Sequence, residues 1–243
     1  MSREPREAKP GSLTEAGVKA TTGVLVATIA AFSPVAGLAA GVAKEYADAP
    51  ILRLMESVRR RREERAVQAL EAGSEEAQQP LDRLVHTIET SPELLALMSE
   101  TVQAAMETPL AGKIIALGRC LGRGVRDETR VDAERLRVRG LAGIEEPEVK
   151  LLEVFARENY VAPEGAFEQR WPGWRRPEIL TELPGFVDVL DASIARLIRE
   201  GIVKDDGIVR VFDADEGAPE TWILTDFGRD CLSLLRAAST RGL

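Results

Sequence analysis

The sequence predicts a mainly α protein, with an N-terminal helical segment and a small helical bundle followed by an α+β part at the C-terminus. Three observations predict it. Apolar residues recur at three- and four-residue spacing over most of residues 49 to 141, the spacing that lines one face of a helix. Short polar or proline-bearing breaks separate these stretches, so successive helices are expected to pack as antiparallel neighbours. After Pro147 the pattern changes to helices interrupted by short β-rich runs on either side of an Asp-Asp-Gly turn.

Within 243 residues, 44% hydrophobic and 30% charged is an ordinary globular balance, enough for one large core or two modest ones. The expected division is a disordered tail over 1–17, an Ala/Gly-rich segment with an Arg-rich helix over 18–72, a helical bundle over 80–144 and a C-terminal domain over 145–243. Cys120 and Cys231 are far apart in sequence, without a CxxC spacing or a nearby histidine pair, so neither a disulfide framework nor a zinc site is expected. The first ten residues mix both charge signs and do not lead directly into a short apolar stretch with a cleavage site. A cytoplasmic protein with reduced thiols is the expectation, with membrane association through residues 20–43 as the alternative.

Charge is unevenly distributed. Residues 1–144 carry 20 Lys+Arg and 20 Asp+Glu, whereas 145–243 carry 12 against 20, so the whole net charge of −8 belongs to the C-terminal part. Lys and Arg supply most non-specific affinity for phosphates, and that balance disfavours a nucleic-acid partner there.

No charged residue lies between Lys19 and Lys44. The stretch Gly23–Ala43 is long enough to cross a bilayer, but Ser33-Pro34 divides it into two arms of about 15 Å each if helical, which suits a hairpin better than one spanning helix. Gly37 and Gly41 add a GxxxG spacing that permits close helix approach. Two readings stay open, a segment packed or partly disordered in a soluble protein, and one that inserts into a membrane. A helix is expected over Ala49–Glu71, with Ile51, Leu52, Met55 and Val58 as a packing stripe. Arg59, Arg60, Arg61, Arg62 and Arg65 follow, either as a solvated face partly neutralised by Glu63 and Glu64 or as contacts to anionic lipid.

A polar break over Gly73–Pro80 precedes the bundle, whose first stretch is Asp82–Glu89. Ser91-Pro92-Glu93 then supplies an N-cap, a proline at the first helical position and an acidic first turn for a helix over Pro92–Glu107, with Leu94, Leu95, Met98, Val102, Ala105 and Met106 on its buried side. Leu110–Gly122 offers Ile114, Ile115, Leu117 and Leu121 as core, and Val131–Leu141 adds a further short helix. His86 sits among apolar residues with no nucleophile nearby and reads as structural. The glycines of Gly118-Arg-Cys-Leu-Gly122-Arg-Gly124 lack the Gly-Lys-Ser/Thr ending of a phosphate loop, and no apolar strand precedes them. No isolated carboxylate pair in an apolar setting stands out for acid–base work. No catalytic residue, cofactor or metal is therefore expected, and the chain reads as non-enzymatic.

From Pro147 the expected order is a helix to Glu158, a Pro- and Trp-bearing connection over Pro163–Pro177, a short helix over Glu178–Leu183, and a helix over Asp188–Glu200 stopped by Gly201. Ile202-Val203 and Ile208–Phe212 flank the turn Asp205-Asp206-Gly207, after which Thr221-Trp-Ile-Leu224 forms a strand and Thr225 caps a last helix, Asp226–Ala238. Three helices, a hairpin and a helix is the winged helix-turn-helix order. The passage Trp222-Ile-Leu-Thr225-Asp-Phe-Gly228-Arg-Asp-Cys-Leu232 resembles the closing motif of that family. The resemblance covers about 95 residues and implies a winged-helix (α+β) domain, with Asp188–Glu200 in the place of the recognition helix. That helix begins acidic where major-groove readers carry donors, and Asp205, Asp206, Asp213, Asp215 and Glu216 make the wing acidic as well.

The whole chain, with its Ala/Gly-rich segment, Arg-rich helix, a bundle lysine such as Lys113 and the C-terminal Leu-Thr-x-x-Gly module, resembles bacterial Abi-alpha-like helical proteins, some of them linked by association to abortive phage infection. The resemblance implies no particular functional residue. The expected function is that of a non-enzymatic interaction or regulatory protein whose acidic winged helix binds a protein partner. The alternatives are a DNA-binding regulator, with Arg175, Arg176, Arg196 and Arg199 on phosphates, and a membrane-acting effector using residues 20–43.

Overall fold

The computed structural model describes residues 49–157, 160–161, 171–205 and 221–239. The chain forms two compact units, Met1–Ser57 and Val58–Leu243. The expected tail over 1–17 and the uncharged stretch over 20–43 lie outside the described residues, as do the second hairpin run Ile208–Phe212 and the acidic wing residues from Asp206 to Glu216. The described part is mainly α with a C-terminal α+β portion.

Helix α1 (Ala49–Ala77) continues through the first part of the break expected over Gly73–Pro80 and ends at Ala77. In the first unit its side chains from Pro50 to Ser57 are all exposed, including Ile51, Leu52 and Met55. In the second, Val58 is exposed too, and burial begins only at Ala66, continuing through Ala69, Leu70, Ala72 and Gly73. The expected packing stripe is therefore a correction: periodicity marks an apolar face, but the packed face lies further along and, apart from Leu70, is made of small residues.

The bundle continues with α2 (Leu81–Glu89), α3 (Pro92–Glu107), α4 (Ala111–Arg126) and α5 (Val131–Ala142), the last two joined by a 3-10 turn over Glu128–Arg130. Ser91 caps α3 as expected, its hydroxyl accepting from the Leu94 N–H at 3.4 Å. Helix α4 is the centre of the unit. From Lys113 to Val125 none of its residues is exposed, and α3, α5 and the last helix all pack on it.

The glycines of α4 explain both that burial and the persistence of α1. A Cβ on Gly118 would fall on the Ala69 carbonyl oxygen, and one on Gly122 would fall on that of Gly73. A Cβ on Gly73 would in turn stand 3.1 Å from the Gly118 oxygen. The two backbones touch, so Gly73 serves the crossing and its helical cost is offset by close packing. What the sequence shows as a rejected phosphate loop is a helix-crossing surface.

The C-terminal portion comprises α6 (Glu146–Phe155), β1 (Tyr160–Val161) paired antiparallel with β2 (Trp171–Pro172), α7 (Arg176–Glu182), a 3-10 turn over Pro184–Phe186, α8 (Leu190–Arg199), β3 (Val203–Asp205), β4 (Trp222–Leu224) and α9 (Asp226–Ser239). Strands β3 and β4 are antiparallel in the register Val203↔Leu224, Lys204↔Ile223, Asp205↔Trp222, and the rest of the expected turn, Asp206-Gly207, lies outside the described residues. On the other edge of β4, Trp174 and Trp222 exchange backbone hydrogen bonds of 3.0 Å, which adds a third rung to the sheet.

The Leu-Thr-x-x-Gly passage is the joint between sheet and α9. The Thr225 N–H donates to the Ile202 oxygen at 3.0 Å, its hydroxyl donates to the Gly201 oxygen at 2.7 Å, and the same hydroxyl accepts from the Gly228 N–H at 2.9 Å. Thr225 thus caps α9 while tying it to the end of α8. Gly228 must lack a Cβ because that atom would land on the Ile202 carbonyl oxygen.

The α1–α4 crossing generates a paired prediction. Gly118→Val should destabilise the protein by more than about 2 kcal/mol, because the backbone oxygen of Ala69 cannot yield as a flexible side chain would. Gly185→Ala, at a position with open space around the added Cβ, should change stability by less than about 0.5 kcal/mol. Urea unfolding of both variants beside the parent chain measures the difference.

Candidate interaction face

Helix α8 is strongly two-sided. Leu190, Ser193, Ile194 and Leu197 point inward, one turn apart, against α6 and β3. The turn before the helix exposes Val187 (56%), Asp188 and Val189 (45%), while Asp191, Ala192 and Ala195 are exposed along the helix and Ile198 (42%) in its last turn. At the N-terminal end of α8, exposed aliphatic side chains therefore lie beside carboxylates. Glu200 caps the far end, its N–H donating to the Arg196 oxygen at 3.0 Å.

The arginines singled out in the C-terminal part converge on this region, but each is engaged within the fold. Arg176, at the start of α7, pairs with Asp191 on the first turn of α8. Arg196 approaches the buried carboxylate of Glu148 at 3.6 Å, and Arg199 holds Glu200 at 3.1 Å. Arg175 occupies the N-cap of α7, where its backbone N–H donates to the Glu178 carboxylate at 2.9 Å. The other arginine run is on α1. Arg59 and Arg60 pair one turn on with Glu63 and Glu64, Arg61 and Arg62 are exposed, and Arg65 is half-buried with a guanidinium N–H donating to the Met106 oxygen at 3.2 Å. His86 is exposed on α2 rather than packed among its apolar neighbours.

Several polar groups to which the sequence assigns no particular role are buried structural partners. Lys113 is 2% exposed, and its three ammonium N–H donors meet the Ala142 oxygen at 2.9 Å, the Ile144 oxygen at 2.7 Å and Glu145 Oε1 at 3.2 Å. Burial pushes its pKa below the ordinary lysine value, against the pull of Glu145. It closes the C-terminal end of α5, where a cation is favoured, and fixes the turn into α6. Glu134 on α5 is fully buried between Arg130 at 3.1 Å and Arg137 at 3.2 Å. Arg137 in turn reaches Asp230 of α9 at 3.1 Å. No sequence signal marks these groups, since a charge in a helical repeat ordinarily reads as solvent-facing.

Cys120 on α4 and Cys231 on α9 are free and buried on helices that pack together. Burial pushes the Cys231 thiol up to about 12 and Cys120 well above the usual thiol range, so both are protonated, poorly nucleophilic groups at neutral pH. A cavity of about 530 Å³ lies between the end of α6, Leu224 and α9. Its two guanidiniums also have partners in the fold. Arg229 donates to the Leu224 oxygen at 3.1 Å and to Asp226 at 2.7 Å, and Arg236 donates to Glu153 at 3.0 Å. Among the described residues no cluster of His, Cys, Asp or Glu has the arrangement of a metal site.

Two carboxylates in these ion pairs set an expected acid response. The Arg236 guanidinium holds the Glu153 carboxyl below its ordinary 4.5. Burial raises Glu100 between α3 and α5, but hydrogen bonds from Arg139 and Arg135 outweigh it and leave that carboxyl below 4.5 as well. A carboxyl lowered in the folded state stabilises the fold fully above its unfolded value, and that stabilisation is lost as pH falls through the folded value. The double variant Glu100→Gln/Glu153→Gln should be less stable than the parent at pH 7 and should lose less further stability below about pH 4.5, as followed by urea midpoints across the acid range.

No family model, curated protein or solved structure matches the chain.

Proposed function

We propose that the chain is a non-catalytic interaction or regulatory protein whose C-terminal portion is a winged helix that docks a protein partner through the outer face of α8. The order α6, Trp174 rung, α7, α8, β3, β4 supports the winged-helix reading, because helix, strand, two helices and two strands is that module's sequence of parts. On that reading α8 is the third helix, the one that faces a ligand.

The observation that carries the proposal is the character of this face. Val187 and Val189 are exposed beside Asp188 and Asp191 at its N-terminal end, and Ile198 is exposed at its far end. Protein interfaces use apolar patches rimmed by polar groups, whereas duplex readers need donors for phosphates and base edges. For DNA to be held instead, Arg176, Arg196 and Arg199 would have to leave Asp191, Glu148 and Glu200, in a portion of net charge −8. The resemblance to Abi-alpha-like proteins directs the search for a partner toward components of phage infection.

Two measurements on the full-length chain test this. Titration with a random DNA duplex at physiological salt should give no binding; micromolar affinity that weakens steeply with salt and vanishes in Arg196→Glu/Arg199→Glu would replace the proposal with the DNA-binding one. A photo-crosslinking residue at Ala195 should yield a discrete protein adduct in the native host, lost when Val189→Asp and Ile198→Asp are combined with it.

A further inference from the structure

The first described residues carry an apolar surface with no role in the proposed function. In α1, Ile51 and Met55 lie one turn apart and Leu52 and Leu54 flank them by helical periodicity, giving four large apolar side chains on one side of the helix. All four are exposed, from 44% for Leu52 to 63% for Leu54. Such a cluster in water is unfavourable unless something covers it.

Charge and sequence neighbourhood bear on what that is. Residues 49–62 contain five arginines and one glutamate. Arg59 and Arg60 are neutralised by Glu63 and Glu64, while Arg61 and Arg62 are exposed and have no ion pair among the described residues. Directly upstream in sequence, residues 20–43 contain no charge at all. Aliphatic residues, arginines with long apolar stems and an uncharged stretch before them are the combination that holds a helix in the plane of a bilayer surface, apolar side down and guanidiniums at the head groups. No helix among the described residues is long and apolar enough to cross a membrane, so this is a surface-lying mode.

We propose that the start of α1, through Ile51, Leu52, Leu54 and Met55, docks on an anionic lipid bilayer, with the arginines that follow contacting the head groups. The lipid is specified by its chemistry, a negatively charged surface over an apolar interior. A protein partner would cover the apolar side chains equally well but would not require the excess of arginine beside them.

Flotation of the full-length protein with vesicles distinguishes the possibilities. Vesicles of phosphatidylcholine with about a third phosphatidylglycerol should carry the protein up the gradient, and pure phosphatidylcholine vesicles should carry much less. Leu54→Asp/Met55→Asp should reduce the bound fraction at least about tenfold with an unchanged circular dichroism spectrum, since both side chains are exposed in the free protein and their loss costs the fold little. Arg61→Glu/Arg62→Glu should reduce binding to the anionic vesicles and diminish its salt sensitivity. No flotation with anionic vesicles, or equal flotation with both lipids, would overturn the proposal. Undiminished flotation of Leu54→Asp/Met55→Asp would also overturn it by assigning binding to the upstream stretch. Self-association abolished by the same variant, without vesicle binding, would overturn it in favour of a second copy of the chain.

Discussion

The second unit is organised by the fact that α4 has no solvent-facing side. Between Lys113 and Val125 every residue is at least half-buried, so each direction around the helix needs a partner, and each partner imposes its own chemistry. Toward α1 the requirement is closeness, met by Gly118 and Gly122 against Ala69 and Gly73. Toward the rest of the bundle it is apolar volume, supplied by Ile114, Leu117 and Leu121. At the start of the helix it is the neutralisation of an amine, supplied by two carbonyls and the Glu145 carboxylate. An amine left there without them would be a buried charge, among the costlier defects a fold can carry.

Helix α9 extends that organisation into the C-terminal portion. One side packs on α4 and α5, where a Cβ on Gly140 would stand 2.9 Å from the Phe227 ring; another meets α6 and β4. Thr225 fixes its first turn to the end of α8. The outer face of α8 is therefore presented by a rigid set of neighbours, with its inner side chains and its last turn both held. Ion pairs between helices, such as Glu100 with Arg135 and Arg139, or Arg137 with Asp230, reinforce this arrangement at the surface, where each contributes modestly.

Most helices were legible in the sequence because their ends carry chemical signals. Ser91-Pro92-Glu93 places the start of α3, and Thr225 with Gly228 marks the start of α9. Faces were less legible than ends. Ile51, Leu52, Met55 and Val58 have a packing helix's period but are exposed, while Ala66, Ala69 and Gly73, with little hydrophobic signal, are the packed side. Periodicity registers side-chain polarity, and the α1–α4 crossing depends on side-chain absence, which has meaning only once the partner helix is known. The same holds for Glu134 and Lys113, whose burial is permitted by partners that lie near in sequence for one and some thirty residues away for the other. For the candidate face, the acidic start of α8 was readable, but the pairing of Arg176 with Asp191 and of Arg196 with Glu148 was not, because each joins residues from separate helices.

The turn between α5 and α6 gathers several of these contacts. Lys113 clamps the carbonyl oxygens on either side of Gly143, and the Glu200 side chain from the end of α8 lies so close that a Cβ on Gly143 would stand 3.1 Å from its Cγ. The end of α8 and the Lys113 clamp thus meet at one glycine, so any larger residue at position 143 would crowd the Glu200 side chain right beside the carbonyl oxygens held by the buried amine.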